Sequence, residues 1–72
     1  MDTIIERIAD YPNLAEDDRT KLVKDIRRSV MAGMESGNPG VARLYVTELA
    51  EFNAQAAFAI RADVISTYGR DL

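Results

Sequence analysis

The chain has 72 residues, a net charge of −3, and neither cysteine nor histidine. Without those two side chains there are no disulfides and no thiolate or imidazole metal sites, and both the commonest general base and the strongest intrinsic nucleophile are missing. A chain of this length buries only about 60% of its unfolded surface, and small domains offset that thin margin with disulfides, metals or a partner subunit. Self-association is the one route of the three that this composition leaves open.

The acidic balance, with a pI near 4.7, argues against a general nucleic-acid binder, whose affinity comes from an excess of Lys and Arg on phosphates. Met1-Asp2-Thr3-Ile4-Ile5-Glu6-Arg7 places an acid where an export signal needs basic residues, and its apolar run ends at once. The longest uncharged stretch, Phe52 to Ile60, falls far short of the roughly 20 residues that cross a bilayer. The expectation is a cytoplasmic protein that does not span a membrane.

The first segment, over about residues 2–11, carries Ile4, Ile5, Ile8 and Tyr11 at helical spacing. Asp2 or Thr3 can cap it, and Thr3 with Glu6 has the form of a capping box. Pro12 pushes Tyr11 out of the helical region and ends the segment.

Asn13 is the expected cap of a second helix over about 14–36, with Glu16, Asp17 and Asp18 in the first turn, where negative charge meets the positive end of the helix dipole. This start accounts for the acidic triplet without a metal. Ala15, Leu22, Val23, Ile26, Val30 and Met34 make its apolar stripe. Asp17 with Lys21 and Asp25 with Arg28 are spaced as helical ion pairs. Lys21, Lys24 and Arg28 form a basic strip on the outer face, suited to an acidic partner or a phosphate, though the interleaved acids favour a solvated charged surface. Arg19 projects toward the apolar side and is expected to pair with Asp63 or another acid.

Ser36-Gly37-Asn38-Pro39-Gly40 is the strongest stop, with Gly37 free to take the left-handed conformation and Pro39 suited to the first position of a new helix. No proline or glycine interrupts the chain from Val41 to Tyr68, so the third helix is expected to run unbroken over about 39–69. The predicted fold is all-α: a short N-terminal helix plus a long antiparallel helical hairpin, a self-associating three-helix bundle in one domain.

On an unbroken third helix, Val41, Tyr45, Leu49, Phe52, Ala56, Ile60 and Val64 fall on one broad face, the expected core. Leu44, Phe58, Ala62 and Ile65 fall on the other side, among Thr47, Glu48, Glu51 and Gln55, and form a candidate partner interface unless the first helix covers them. Phe58, an aromatic among small residues, is the candidate anchor. Asn53 lies within the core arc, where a buried amide needs a partner; the hydroxyl of Tyr45, a second chain and, last, a ligand are the alternatives.

Ser29, Ser36 and Ser66 have no base signature beside them, and no phosphate-binding glycine loop or calcium loop occurs. No catalytic residue, metal or cofactor is expected. The expected function is a non-catalytic protein–protein interaction module that forms a homodimer. The alternative is a small inhibitor or adaptor, of the type phages and mobile elements encode, that blocks a host protein. A third reading is an anionic ligand or nucleic acid on the basic strip of the second helix.

Overall fold

The structure, a computed structural model, describes residues 3–72; Asp2, one of the two expected caps of the first helix, lies outside the described residues. Four α-helices and one 3-10 turn follow in order: α1 Thr3–Ala9, the turn Tyr11–Asn13, α2 Glu16–Glu35, α3 Pro39–Ala50 and α4 Ala54–Tyr68. The all-helical expectation holds, with no strand among the described residues. The expected third helix, however, is two helices.

Near the N-terminus the elements are shorter than periodicity suggests. α1 stops at Ala9, and Pro12 sits inside a 3-10 turn in which the Asn13 N–H donates to the Asp10 carbonyl at 2.9 Å and the Leu14 N–H to that of Tyr11 at 3.1 Å. Asn13 therefore does not cap α2. Its side-chain amide donates to the Asp10 carboxylate at 3.0 Å, and Ala15, with no side-chain bond to offer, precedes the helix. The acids Glu16, Asp17 and Asp18 occupy the first turn of α2 as expected. Arg19 does not reach Asp63. It donates from Nε to the Tyr11 carbonyl and from a terminal nitrogen to that of Pro12, both at 3.0 Å, with its guanidinium 4.9 Å from the Tyr11 ring centroid.

The stop between α2 and α3 follows the local chemistry. Gly37 has φ +78°, the Asn38 N–H donates to the Gly33 carbonyl at 2.7 Å and the Gly37 N–H to that of Met34 at 3.3 Å, the paired bonds of a left-handed helix end. Pro39 opens α3 behind Asn38, whose side chain makes no capping bond. The two helices approach closely just before this turn, because a Cβ on Gly33 would stand 3.1 Å from the Asn38 carbonyl oxygen and 3.6 Å from the Ala42 Cβ.

The break in the third segment occurs without proline or glycine. The last turn of α3 tightens, with the Phe52 N–H on the Leu49 carbonyl at 3.0 Å and the Asn53 N–H on the same carbonyl at 2.8 Å. Asn53 leaves the helix at φ −150°, ψ 81°, and its side-chain oxygen accepts from the Ala56 N–H at 3.0 Å, which makes it the cap of α4. Its side-chain amide donates to the Tyr11 hydroxyl at 2.9 Å, not to Tyr45. An unbroken helix of nearly 30 residues would measure roughly 45 Å, longer than the 34 Å greatest extent of the molecule. The break lets α4 fold back on α3 and α2. The radius of gyration, 11.5 Å, matches the value of about 11 Å expected for a compact chain of this size.

The core takes Ile8 and Tyr11 from the N-terminal elements, Leu22, Ile26, Val30 and Met34 from α2, Ala42, Tyr45, Val46 and Leu49 from α3, and Ala57, Ile60 and Val64 from α4. Ile4, Ile5, Val23 and Ala56 pack at its margin. Val41 and Phe52, both expected in the core, are exposed. Phe52 lies in the break, where its ring stacks on Tyr11 at 5.9 Å. Ion pairs tie α1 and α4 to α2, Arg7 with Asp25 at 2.8 Å and Arg27 with Asp63 at 3.0 Å, so Asp25 pairs across elements rather than with Arg28. The Tyr68 hydroxyl reaches the Met31 carbonyl at 3.2 Å and the Glu35 carboxylate at 3.1 Å.

Replacing Asn53 removes the α4 cap and the bond to Tyr11 together. Asn53→Ala is expected to lower the unfolding free energy by about 1–2 kcal/mol, and Asn53→Ser, which keeps an acceptor, by less. Urea denaturation with an unchanged m-value checks both.

Candidate functional site

α4 buries a narrow stripe. Ala57, Ile60 and Val64, at i, i+3 and i+7, face the core, so the other apolar residues of this helix are left outside. Phe58 is 73% exposed, the highest value among the exposed large hydrophobic residues, while Leu44 and Ile65 are each 46% exposed. Ala62 is exposed as well. α1 packs against α2 and α3 and leaves Phe58 uncovered.

Because α4 folds back along α3, a groove of about 600 Å³ opens between them. Val46 and Ala50 of α3 and Ala54 and Ala57 of α4 supply its apolar lining, with Phe58 beside them. Arg43, Thr47, Glu51, Arg61 and Leu72 complete it. The small side chains follow from the sequence around the break, where Ala50, Ala54 and Ala57 are three of the six apolar lining residues.

The break also redistributes the candidate interface. Glu51 and Phe58 line the groove; Leu44 and Ile65 do not. Leu44 sits on α3 and Phe58, Ala62 and Ile65 on α4, so the stripe that one straight helix would have presented is divided between two. Gln55 is exposed in the first turn of α4. Tyr45 is buried in the core, and Asn53 is half-buried at the head of α4 rather than enclosed.

Helical periodicity set Thr47 on the side of the candidate interface but gave no place there to Arg43, Arg61 or Leu72. Arg43, Thr47 and Ala50 recur at i, i+4 and i+7 beside the α3 core stripe, a pattern readable once α3 is known to end at Ala50. Arg61 required the chain reversal at Gly69, which returns Asp71 to it. Arg61 donates to both carboxylate oxygens of Asp71, at 3.3 and 2.5 Å. These hydrogen bonds, followed by the Leu72 N–H and joined by the charge of Arg43, hold the Asp71 carboxyl below its ordinary value.

Lys21, Lys24 and Arg28 of the basic strip are exposed on α2, while Arg27 is drawn to Asp63. Lys24 borders a second hollow with Tyr11, Glu16, Arg19, Thr20, Val23, Asn53 and Ala56. Its other basic residue, Arg19, is already committed to the Tyr11 and Pro12 carbonyls. Among the described residues no group of three acidic side chains is placed to hold a metal ion, and no helix is long and apolar enough to cross a membrane.

The exposure of Phe58 carries a stability consequence. Phe58→Ser is expected to change the unfolding free energy by no more than about 0.5 kcal/mol, whereas Ile60→Ala, two residues away in the core, costs about 2–5 kcal/mol; parallel urea titrations compare them. The Asp71 pair gives a pH signature. A carboxyl lowered by folding contributes stability above its unfolded value of 3.8 and loses it as pH falls through the lower folded value. The Asp71 carboxyl carbon signal is therefore expected to titrate with a midpoint below 3.8 in the folded chain, and at a higher pH in an Arg61→Gln variant.

No protein-family model matches the chain, and no curated protein or solved structure matches it at a significant level.

Proposed function

We propose that this chain is a non-catalytic protein-interaction module, and that its binding surface is the exposed side of α3 and α4 around Phe58. The observation that carries this reading is the 73% exposure of Phe58 beside a groove lined by small apolar side chains. A solvated phenylalanine adds nothing to the core, while its ring brings a large apolar contact area to a partner. Leu44 and Ile65 are further exposed apolar side chains on α3 and α4, and Arg43, Glu51 and Arg61 give the groove a charged margin. An apolar centre with a polar rim is the usual anatomy of a protein interface.

The composition supports the same reading from the other direction. A chain with no histidine or cysteine has little with which to transfer protons near neutral pH or to form a covalent intermediate.

A photo-reactive phenylalanine analogue at position 58 tests the proposal in cells that express the chain. Irradiation is expected to yield discrete protein adducts from position 58 and none from the same analogue at Lys21, on the basic strip of α2. Absence of adducts from position 58, or an equal yield from both positions, would overturn the proposal.

A further inference from the structure

We propose that the partner of this surface is a second copy of the chain, docked about a two-fold axis that passes near Thr47. Each copy's Phe58 enters the other's groove, and Arg43 of each copy faces Glu51 of the other. This rests on the reading of the α3–α4 side as a protein-binding surface and adds the identity of the partner.

Two observations lead to it. The first is that one surface carries both the projection and the recess. Phe58 stands out from α4, while the small side chains of Ala50, Ala54 and Ala57 line the adjoining groove. Such a surface is complementary to itself, and a two-fold interface is built by residue i meeting residue j while j meets i.

The second is the placement of charge. Arg43 of α3 and Glu51, the residue that closes α3 in helical conformation, line the groove eight residues apart, about 12 Å at the rise of an α-helix. Arg61 forms its ion pair with Asp71, and Arg43 also acts on that carboxylate. Two guanidiniums and one carboxylate leave a single positive side-chain charge at the Arg43 end, while Glu51 supplies a single negative one at the other. Thr47 is exposed midway between them. Rotation by half a turn about an axis through Thr47 exchanges the two ends and sets each charge opposite its complement. A uniformly acidic or basic partner would instead meet a like charge at one end.

Helices of 12 and 15 residues span about 18 and 22 Å. A contact on one side of them is smaller than the standard interface of about 800 Å² per partner. The dimer is therefore expected to form at tens to hundreds of micromolar rather than at nanomolar concentration.

Sedimentation equilibrium across that range tests the proposal. The wild-type mass is expected to rise from 8.0 kDa toward twice that value. Arg43→Glu and Glu51→Arg, each alone, place like charges together at both ends and are expected to weaken the dimer about tenfold or more. An equimolar mixture of the two variants restores opposite charges at both ends and is expected to dimerise again, as is the double variant Arg43→Glu/Glu51→Arg.

A second measurement does not depend on the charge variants. The chain has no cysteine, so Thr47→Cys introduces a single thiol beside the proposed axis. With oxidised glutathione as oxidant, this variant is expected to form an intermolecular disulfide at least tenfold faster than Thr20→Cys, on α2. A wild-type chain that stays at 8.0 kDa throughout, or equal disulfide rates at the two positions, overturns the second copy as partner. Single variants that lose the dimer but fail to recover it when mixed overturn the Arg43–Glu51 arrangement. If position 58 still cross-links to a different protein, only the partner assignment has failed; if it cross-links to nothing, the binding-surface reading has failed with it.

Discussion

Asn53 makes two bonds in opposite directions. Its side-chain oxygen accepts the Ala56 N–H, which starts α4, and its side-chain nitrogen donates to the Tyr11 hydroxyl, which belongs to the turn between α1 and α2. The first bond gives a free helix donor an acceptor at the break in the chain; the second fixes where that break sits relative to the N-terminal turn. Without this corner the 28 residues following Gly40 would favour one rod, too long for α2 to cover. With it, α4 returns against both α2 and α3, and the groove between α3 and α4 exists at all.

The same corner explains the aromatic cluster beside it. Arg19 holds the carbonyls of Tyr11 and Pro12 while its guanidinium stands by the Tyr11 ring, and Phe52 stacks on that ring. A cation–aromatic contact at a partly exposed position is worth about 0.5–1 kcal/mol, and the Tyr11 carbonyl accepts from Arg19 in addition to the Leu14 N–H. Phe52 is thus neither a core residue nor a free surface residue: it closes the bend and leaves the core stripe to Leu49 on one side and Ala57 on the other. The break exchanges one turn of regular helix for a connection between three elements.

How much of the candidate surface was legible depended on whether each residue is placed by its own helix or by two helices together. Phe58 faces away from Ile60 and Val64 by helical phase alone, so its exposure was readable within α4. Leu44 was assigned to the same stripe only because the phase was carried through Asn53, and the break ends that relation. The groove residues Arg43 and Arg61 come together through the return of α4 and the reversal that brings Asp71 back, neither of which has a periodic signal. Arg19 and Asn13 failed for a related reason: each has several acceptors within reach, and spacing along the chain does not rank them.

The sequence by itself determined the helical class, the apolar stripe of α2, the acidic start of that helix, the left-handed stop at Gly37 with Pro39 beyond it, and the exposure of Phe58. These depend on backbone preferences and on periodicity within a few turns, which neighbouring residues settle among themselves. Only the tertiary structure decided that the last segment is two helices, which residues meet across the resulting groove, and which partners Asn53, Arg19 and Asp25 take. The physical reason is range: asparagine is a modest penalty inside a helix and a strong cap at its start, and the Tyr11 hydroxyl that favours the second role lies 42 residues away along the chain.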